Sequence, residues 1–275
     1  MMQVLLEVCD QVFQSLWYVL PYLAVAGAIF SVLSHFTPCN GERPWWRKRG
    51  LGVDLVYWIV VPVITRFGRL GFTVMFTVYL LGIRKVDDIT RFYAEGHGFL
   101  ASLPLWAQVV IYLVVSDLAL YWIHRAFHDV SLWRFHAVHH APVDLDWTSA
   151  ARFHPVNLFL GTTLVDVFAL VAGIKPEVFV FLMPFTTLTS AFVHADLDWT
   201  LGPLRYVFVS PVFHRWHHTL PNEGGNRNFA SNFAIFDLLF GTFYMPAGKL
   251  PRVYGIVDAD MPENVGLQLL YPLMR

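Results

Sequence analysis

Charge is what this sequence lacks most. Asp, Glu, Lys and Arg make up 14% of its 275 residues, against about 25% in an ordinary soluble globular chain. The formal net charge is −1 and no basic stripe runs along any segment, so no nucleic-acid partner is expected. Cysteine is almost absent. Cys9 and Cys39 are the two present, too few for a cysteine-rich zinc or iron–sulfur site. They flank the first apolar run, so they cannot meet in a disulfide if that run crosses a membrane. The zinc-protease pattern H-E-x-x-H does not occur, which argues against that hydrolytic class. No basic segment precedes the first apolar run, where Glu7 and Asp10 stand instead, and a cleaved signal peptide is therefore not expected. Low-complexity linkers are missing too, and a single membrane domain is the economical reading.

What fills the sequence is apolar surface. Hydrophobic residues reach 56% with a mean hydropathy of +0.50, gathered into runs long enough for a bilayer, which takes ~20 residues of helix. Backbone polar groups in lipid must be satisfied within the segment, and runs of this kind do so as helices. The expected fold class is an all-α integral-membrane helical bundle with polar segments forming a cap on one face. Residues 12–36 give a first span, interrupted by Pro21. Residues 51–82 give either one long tilted span or two half-depth helices, since Pro62, Arg66, Gly68 and Arg69 interrupt them. A further span covers 99–123, and residues 156–174 and 178–193 read as a helical hairpin. Arg43, Arg47, Lys48 and Arg49 with Trp45 and Trp46 mark the first connection as cytoplasmic, the tryptophans lying at headgroup depth. His124 is then cytoplasmic too if 51–82 crosses once.

Histidine carries the chemistry. Ten of the 12 histidines fall between His124 and His218. His124 and His128 are four apart, on one helix face. His136, His139 and His140 form an H-x-x-H-H triplet, repeated by His214, His217 and His218. Positions i, i+3 and i+4 share a face, so each triplet is expected to direct three imidazoles to one point. His194 stands alone after the last apolar run, and His154 lies in Arg152-Phe153-His154-Pro155. Clustering histidine next to a membrane without purpose is costly. Nine imidazoles exceed the capacity of one zinc and suit two ions, although imidazole binds Zn, Cu, Fe and Ni alike. A zinc-dependent membrane hydrolase and, less favoured, a metal transporter are the alternatives. Transporter sites usually lie near the bilayer midplane, whereas these histidines sit beside Arg125, Asp129, Arg134, Asp144 and Arg215.

The run Asp117-x-x-x-Tyr121-Trp122-x-His124-Arg125-x-x-His128, then Trp133-x-Phe135-His136-x-x-His139-His140, then Arg152-Phe153-His154-Pro155 resembles the fatty acid hydroxylase/sterol desaturase superfamily. So do His214-x-x-His217-His218, Asn228-Phe229-Ala230 and Asp237-x-x-Phe240-Gly241-Thr242. The resemblance covers about residues 110–242, leaving N-terminal membrane helices in 1–109 and a tail in 243–275. It implies a membrane-bound non-haem di-iron oxidoreductase that uses O2 to hydroxylate or desaturate a sterol or fatty acyl chain. Two ferrous ions would be held by His124, His128, His136, His139, His140, His194, His214, His217 and His218, with zinc as a possible substitute. It also implies a bacterial inner membrane or endoplasmic reticulum, with the metal site facing the cytoplasm. Where many members read Asn-Tyr-Gly, this chain has Asn228-Phe229-Ala230, one hydroxyl fewer.

Supporting roles are expected of Asp117, His154, Asn228 and Asp237 behind the ligands. Asp117 shares a face with Tyr121, His124 and His128. It either accepts from a ligating histidine or pairs with an arginine. Arg125 reads as a headgroup or helix-end charge. Asp144, Asp146, Trp147 and Arg152 are placed at a substrate entrance. The chemistry needs two electrons per O2, yet the chain offers no dinucleotide motif, cysteine cluster or haem segment. A separate ferredoxin or b-type cytochrome with its reductase is therefore expected as partner.

Overall fold

The computed structural model describes residues 2–41, 43–257 and 261–274. Within the first 22 positions side chains are described only at Phe13, Trp17, Leu20 and Pro21, so Glu7, Cys9 and Asp10 lie outside the described side chains. Cys39 is buried as a free thiol.

The elements are α1 (Met2–Phe36), α2 (Leu51–Leu80), α3 (Val86–Glu95), α4 (Gly98–Ser102), α5 (Leu105–Phe127), α6 (Val130–His140), α7 (Pro155–Leu158), α8 (Leu164–Val171), α9 (Pro176–His194), α10 (Pro211–His217), α11 (Ile235–Leu239) and α12 (Val265–Leu270). No strand occurs among the described residues; one isolated bridge joins Thr219 to Tyr254. α2, α5 and α9 are long and apolar enough to cross a membrane, and Leu23–Phe36 and Pro155–Val171 are shorter apolar helices. At 1.5 Å per residue the three reach roughly 45, 34 and 28 Å, against ~30 Å of hydrocarbon. Their outward faces are apolar and uncovered: Ile59, Phe67 and Leu70 on α2, Val110 and Val115 on α5, Val180 and Phe181 on α9. Exposed Trp106 and Trp122 mark the two ends of α5, at the spacing of an aromatic belt. The protein is a helical membrane protein.

Residues 51–80 form one helix in spite of Pro62, which settles the one-or-two alternative in favour of one. The apolar run from Phe99 becomes two elements because Pro104 sets an extended N-cap ahead of α5. The stretch expected as a single helix from 156 breaks at Gly161, whose φ −86° and ψ −108° separate α7 from α8 through a π-helical turn. Gly173, at φ +100°, turns α8 into α9; a Cβ there would sit 2.1 Å from the His97 carbonyl oxygen, so no other residue fits.

α2 starts where α5 and α9 end, and the segments between 128 and 155 and after 194 close over that end as a cap. Trp147 anchors the cap. Its fully buried ring meets Phe30 of α1, Trp45, and Trp58 of α2. Beneath it Asp54 of α2 is wholly enclosed. Its carboxylate takes Lys48 at 2.7 Å and the Arg152 guanidinium, and accepts from the Thr148 and Ser149 hydroxyls at 3.1 Å each. Gly50 must be glycine here: φ is +76° and a Cβ would stand 2.9 Å from Arg152 Nη2. These contacts put the basic connection 43–49 on the same side as the histidines, as one crossing by 51–80 requires.

Trp147 and Arg152 therefore do not edge a substrate entrance: one is core, the other half of a buried ion pair. Asp144 is taken by Arg49, which donates from its backbone N–H at 2.9 Å and its side chain at 2.6 Å. Asp146 Oδ1 and Trp147 Nε1 are the atoms of that group left without a hydrogen-bond partner.

Candidate metal centre

Four elements carry the histidines to one place under the cap. The last turn of α5 brings His124 and, at its C-cap, His128. α6 brings His136, His139 and His140, its start fixed by Asp129, which accepts from the Ser131 N–H. His194 ends α9, and α10 with its C-cap supplies His214, His217 and His218, started by Ser210 accepting from the Phe213 N–H at 3.1 Å. The nine rings divide into two groups able to hold a metal ion: His124, His128, His136, His140 and His217, and His139, His194, His214 and His218. Within each group the ligand atoms lie within 4.8 Å of one another. All nine expected ligands fall in the two groups, His194 included.

The triplets do not each converge on one point. α6 gives His136 and His140 to the first group and His139 to the second; α10 gives His214 and His218 to the second and His217 to the first. The reason is helical geometry. Adjacent residues diverge by roughly 100° around the axis, while i and i+4 differ by only about 40°. The i, i+4 pair stays together, and the i+3 ring turns to the neighbouring group. The groups adjoin, with His140 stacked on His218 at 4.4 Å and His136 beside His139 at 5.3 Å between ring centres.

Ring orientation shows what the cluster wants. His124 Nδ1–H donates to the Phe229 carbonyl (2.7 Å), His136 Nδ1–H to Asn157 Oδ1 (2.7 Å), His139 Nδ1–H to the Arg152 carbonyl (3.1 Å), and His194 Nδ1–H to the Ser190 carbonyl (2.7 Å). Burial drives His136 and His139 well below the ordinary imidazole range, neighbouring rings adding to the shift. The rings are thus neutral and each Nε2 carries a lone pair. Yet His124 Nε2 faces His136 Nε2 at 3.0 Å, and His139 Nε2 faces His194 Nε2 at 3.3 Å. No proton is available to bridge either pair. His217 repeats the pattern: Nδ1–H donates to the Arg227 carbonyl at 2.7 Å and Nε2 has no partner. His214 Nε2 stands 3.1 Å from those of His194 and His218. Converging, unprotonated, buried imidazole nitrogens fit metal cations, held by Nδ1–H bonds of the kind that orient ligating histidines. No Asp or Glu belongs to either group.

The expected supporting residues act at one remove or elsewhere. Asp117 touches neither a histidine nor an arginine. It accepts from the Asn232 N–H (2.9 Å) and side-chain amide (3.0 Å) and the Phe233 N–H (2.8 Å), because three donors of that loop point at it in an apolar setting. Asp237 likewise meets no ring. It accepts from the Phe229 and Ala230 N–H groups at 2.7 and 2.8 Å and from the Thr242 hydroxyl at 2.6 Å, fixing the peptide whose carbonyl orients His124. Burial raises its carboxyl above the usual range, these bonds opposing. Asn228, at φ 60°, ties α10 to the end of the site loop through the Phe213 and Tyr244 carbonyls. His154 caps α7, its Nδ1 accepting from the Val156 N–H while Nε2–H donates to the Leu269 carbonyl. That pins α12 to the cap, away from both groups. Phe229 serves through its backbone, and its ring packs on His128 at 5.1 Å, so the missing hydroxyl leaves no unmet partner. Arg125 is exposed beside Trp122 and donates to the Tyr121 hydroxyl at 3.3 Å, a helix-end charge as expected.

Asn157 was not visible as a site residue from the sequence. Its one signal was an amide three residues past His154 at the start of an apolar run. Arg215, one of the charges the sequence sets beside the histidines, is wholly buried.

Comparison with known proteins agrees with this architecture. The fatty acid hydroxylase family profile matches residues 109–242. Ornithine lipid hydroxylase of Rhizobium tropici is 30% identical over 261 residues, covering 94% of this chain and 76% of that protein. Alkylglycerol monooxygenase of Xenopus tropicalis is 29% identical over 195 residues, 68% of this chain but 43% of that enzyme. Lathosterol oxidase of Mus musculus is 25% identical over 249 residues, 86% of this chain and 76% of that protein. No solved structure matches. Membrane helices, histidine groups and relatives agree: the chain belongs to the fatty acid hydroxylase/sterol desaturase superfamily of lipid-modifying membrane oxidoreductases.

Proposed function

We propose that this protein is an O2-dependent di-iron hydroxylase of a membrane lipid. The observation that carries the reading is the division of nine imidazoles, seven buried and two half-buried, into adjoining groups of five and four with facing Nε2 lone pairs. Hydroxylation is favoured over desaturation because the relative that covers nearly the whole chain is a lipid hydroxylase. Its substrate, ornithine lipid, is the first to test. Iron bound by the two groups would supply the O2 activation that an unactivated C–H bond demands.

The chain's own residues do the rest. His124, His128, His136, His140 and His217 would hold one ion, and His139, His194, His214 and His218 the other. The carbonyls of Phe229, Arg152, Ser190 and Arg227 and the Asn157 amide keep His124, His139, His194, His217 and His136 in the tautomer that presents Nε2. Cap and helices bury the rings and exclude water, and the exposed apolar faces of α2, α5 and α9 hold the site against lipid. Among the described residues neither group includes a carboxylate, so a hydrolytic reading has no carboxylate general base within the ligand set. Exposed Arg43, Arg47 and Arg49 on the histidine side support a cytoplasmic orientation, where a ferredoxin or b-type cytochrome would deliver electrons.

The test is metal content per chain after iron-supplemented expression, together with lipid profiling with and without O2. Two irons and a lipid gaining 16 mass units only under O2 are expected, that increment being one oxygen atom, roughly the smallest change a hydroxylation leaves. One ion or none, or turnover that persists anaerobically, overturns the reading.

A further inference from the structure

The cap has a second polar recess, outside the wall that carries His194. Its floor is Arg215, which donates from Nη1 to the carbonyls of Leu145 (2.9 Å) and His194 (3.1 Å). Nη2 of the same side chain donates to Asp196 at 2.9 Å and to Asn40. The Tyr254 ring lies 4.8 Å from the guanidinium, and Asp146 and Arg252 share the lining.

Most charges around the recess are answered within the chain. Lys48 is taken by Asp54, Arg43 and Arg49 by Asp144, and Arg215 Nη2 by Asp196. Three groups are left over. Asp146 Oδ1 and Arg215 Nε have no hydrogen-bond partner, although the residues are only 6% and 1% exposed. Arg252 stands exposed at the mouth with no ion pair among the described residues. Unpaired polar atoms buried this deeply are rare and ask for a partner. The remainder is one free acceptor of negative sign and, across from it, free donors of positive sign. Its complement is a group bearing both charges: a primary ammonium for Asp146 and an anionic oxygen group for Arg215 and Arg252.

Depth indicates where that group comes from. Trp45 lines the recess and its neighbour Trp46 is half exposed on the α1–α2 connection, the level at which tryptophans meet headgroups.

We propose that this recess binds the zwitterionic headgroup of a membrane aminolipid, with its ammonium on Asp146 and its phosphate or carboxylate on Arg215 and Arg252. This rests on the lipid-hydroxylase reading and names its substrate class. A lipid anchored there lies against the backbone of His194, so the headgroup sets how the chain meets the histidine centre. A choline headgroup lacks the N–H donors, and a glycerol headgroup lacks the cation.

Microscale thermophoresis on the metal-loaded protein in detergent tests this with soluble dihexanoyl phosphatidylethanolamine, phosphatidylcholine and phosphatidylglycerol. N-octanoylornithine carries a carboxylate in place of the phosphate, and O-phosphoethanolamine is the headgroup without a membrane anchor. At least one primary-amine lipid is expected to bind about tenfold more tightly than the choline and glycerol lipids, the scale of a charge-assisted hydrogen bond. The tighter of the two identifies the anionic group. Asp146→Asn should abolish the preference. Arg252→Gln, at the exposed mouth, should weaken binding several-fold and serves if the buried variant folds poorly. Equal affinity across the three phospholipids, a preference that survives both variants, or equally tight O-phosphoethanolamine overturns the proposal. Metal content on the same samples separates the failures: metal retained without headgroup preference sinks this inference alone, and chains that never hold metal sink the underlying reading.

Discussion

Two buried polar clusters lie under the same cap. Around Asp54, one carboxylate contacts both Lys48 and Arg152 and accepts two hydroxyls, so every charged group there touches one of opposite sign inside the chain. Around His136 and His139 there is no counter-charge: the rings are held by Nδ1–H bonds and aim lone pairs at one another. The first cluster is complete as folded and serves the architecture. The second is incomplete, and its geometry makes sense with cations. Burial and polarity alone do not distinguish a structural cluster from a functional one; the balance of donors and acceptors does.

That contrast can be broken experimentally. The largest effect is expected from His139→Ala and His217→Ala, one ligand from each group. Activity should fall by more than ~100-fold, beyond what losing an outer support costs, and metal content should drop while the protein still purifies as folded. Retained metal in both variants would erase the distinction.

Asp54→Ala should do the reverse. It strands two buried cations, a loss of about 3–5 kcal/mol, seen as a lower unfolding temperature in detergent. Metal per folded chain should stay the same. A variant as stable as the parent would show that the Asp54 cluster is not holding the cap.

Asn157→Ala removes the acceptor that orients His136. Metal affinity should fall ~10-fold with little change in unfolding, measured by competition with a chelator. An unchanged affinity would move Asn157 out of the site.

The smallest effect is assigned to His154→Ala. Losing this helix cap and its bond to Leu269 should cost about 1 kcal/mol and leave metal content untouched. Loss of metal instead would return His154 to the centre from which its contacts exclude it.

Much of this was legible beforehand. Long apolar runs with few charges can satisfy their backbones in lipid only as helices, so the fold class followed from composition and run length. Histidines at four- and three-plus-four spacing marked eight of the nine imidazoles that cluster under the cap, because helical periodicity is local. Loops that approach from far along the chain were not legible. Asp117 looked like the partner of a histidine or an arginine and Asp237 like a support behind the ligands, but the loop at 228–242 claims both, chiefly through backbone N–H groups that any sequence carries. Trp147 and Arg152 looked like rim residues until α1 and α2 closed over them.

The sequence by itself determined the helices, the membrane and eight of the nine imidazoles, since each rests on hydropathy or spacing along one helix; His194 entered through the family resemblance alone. Tertiary structure alone decided how the imidazoles divide. A triplet fixes the angle between its own rings, but which group each ring joins depends on how α5, α6, α9 and α10 cross. It also decided which buried charges are neutralised, because Asp54 and Arg152 meet only through packing across nearly a hundred residues.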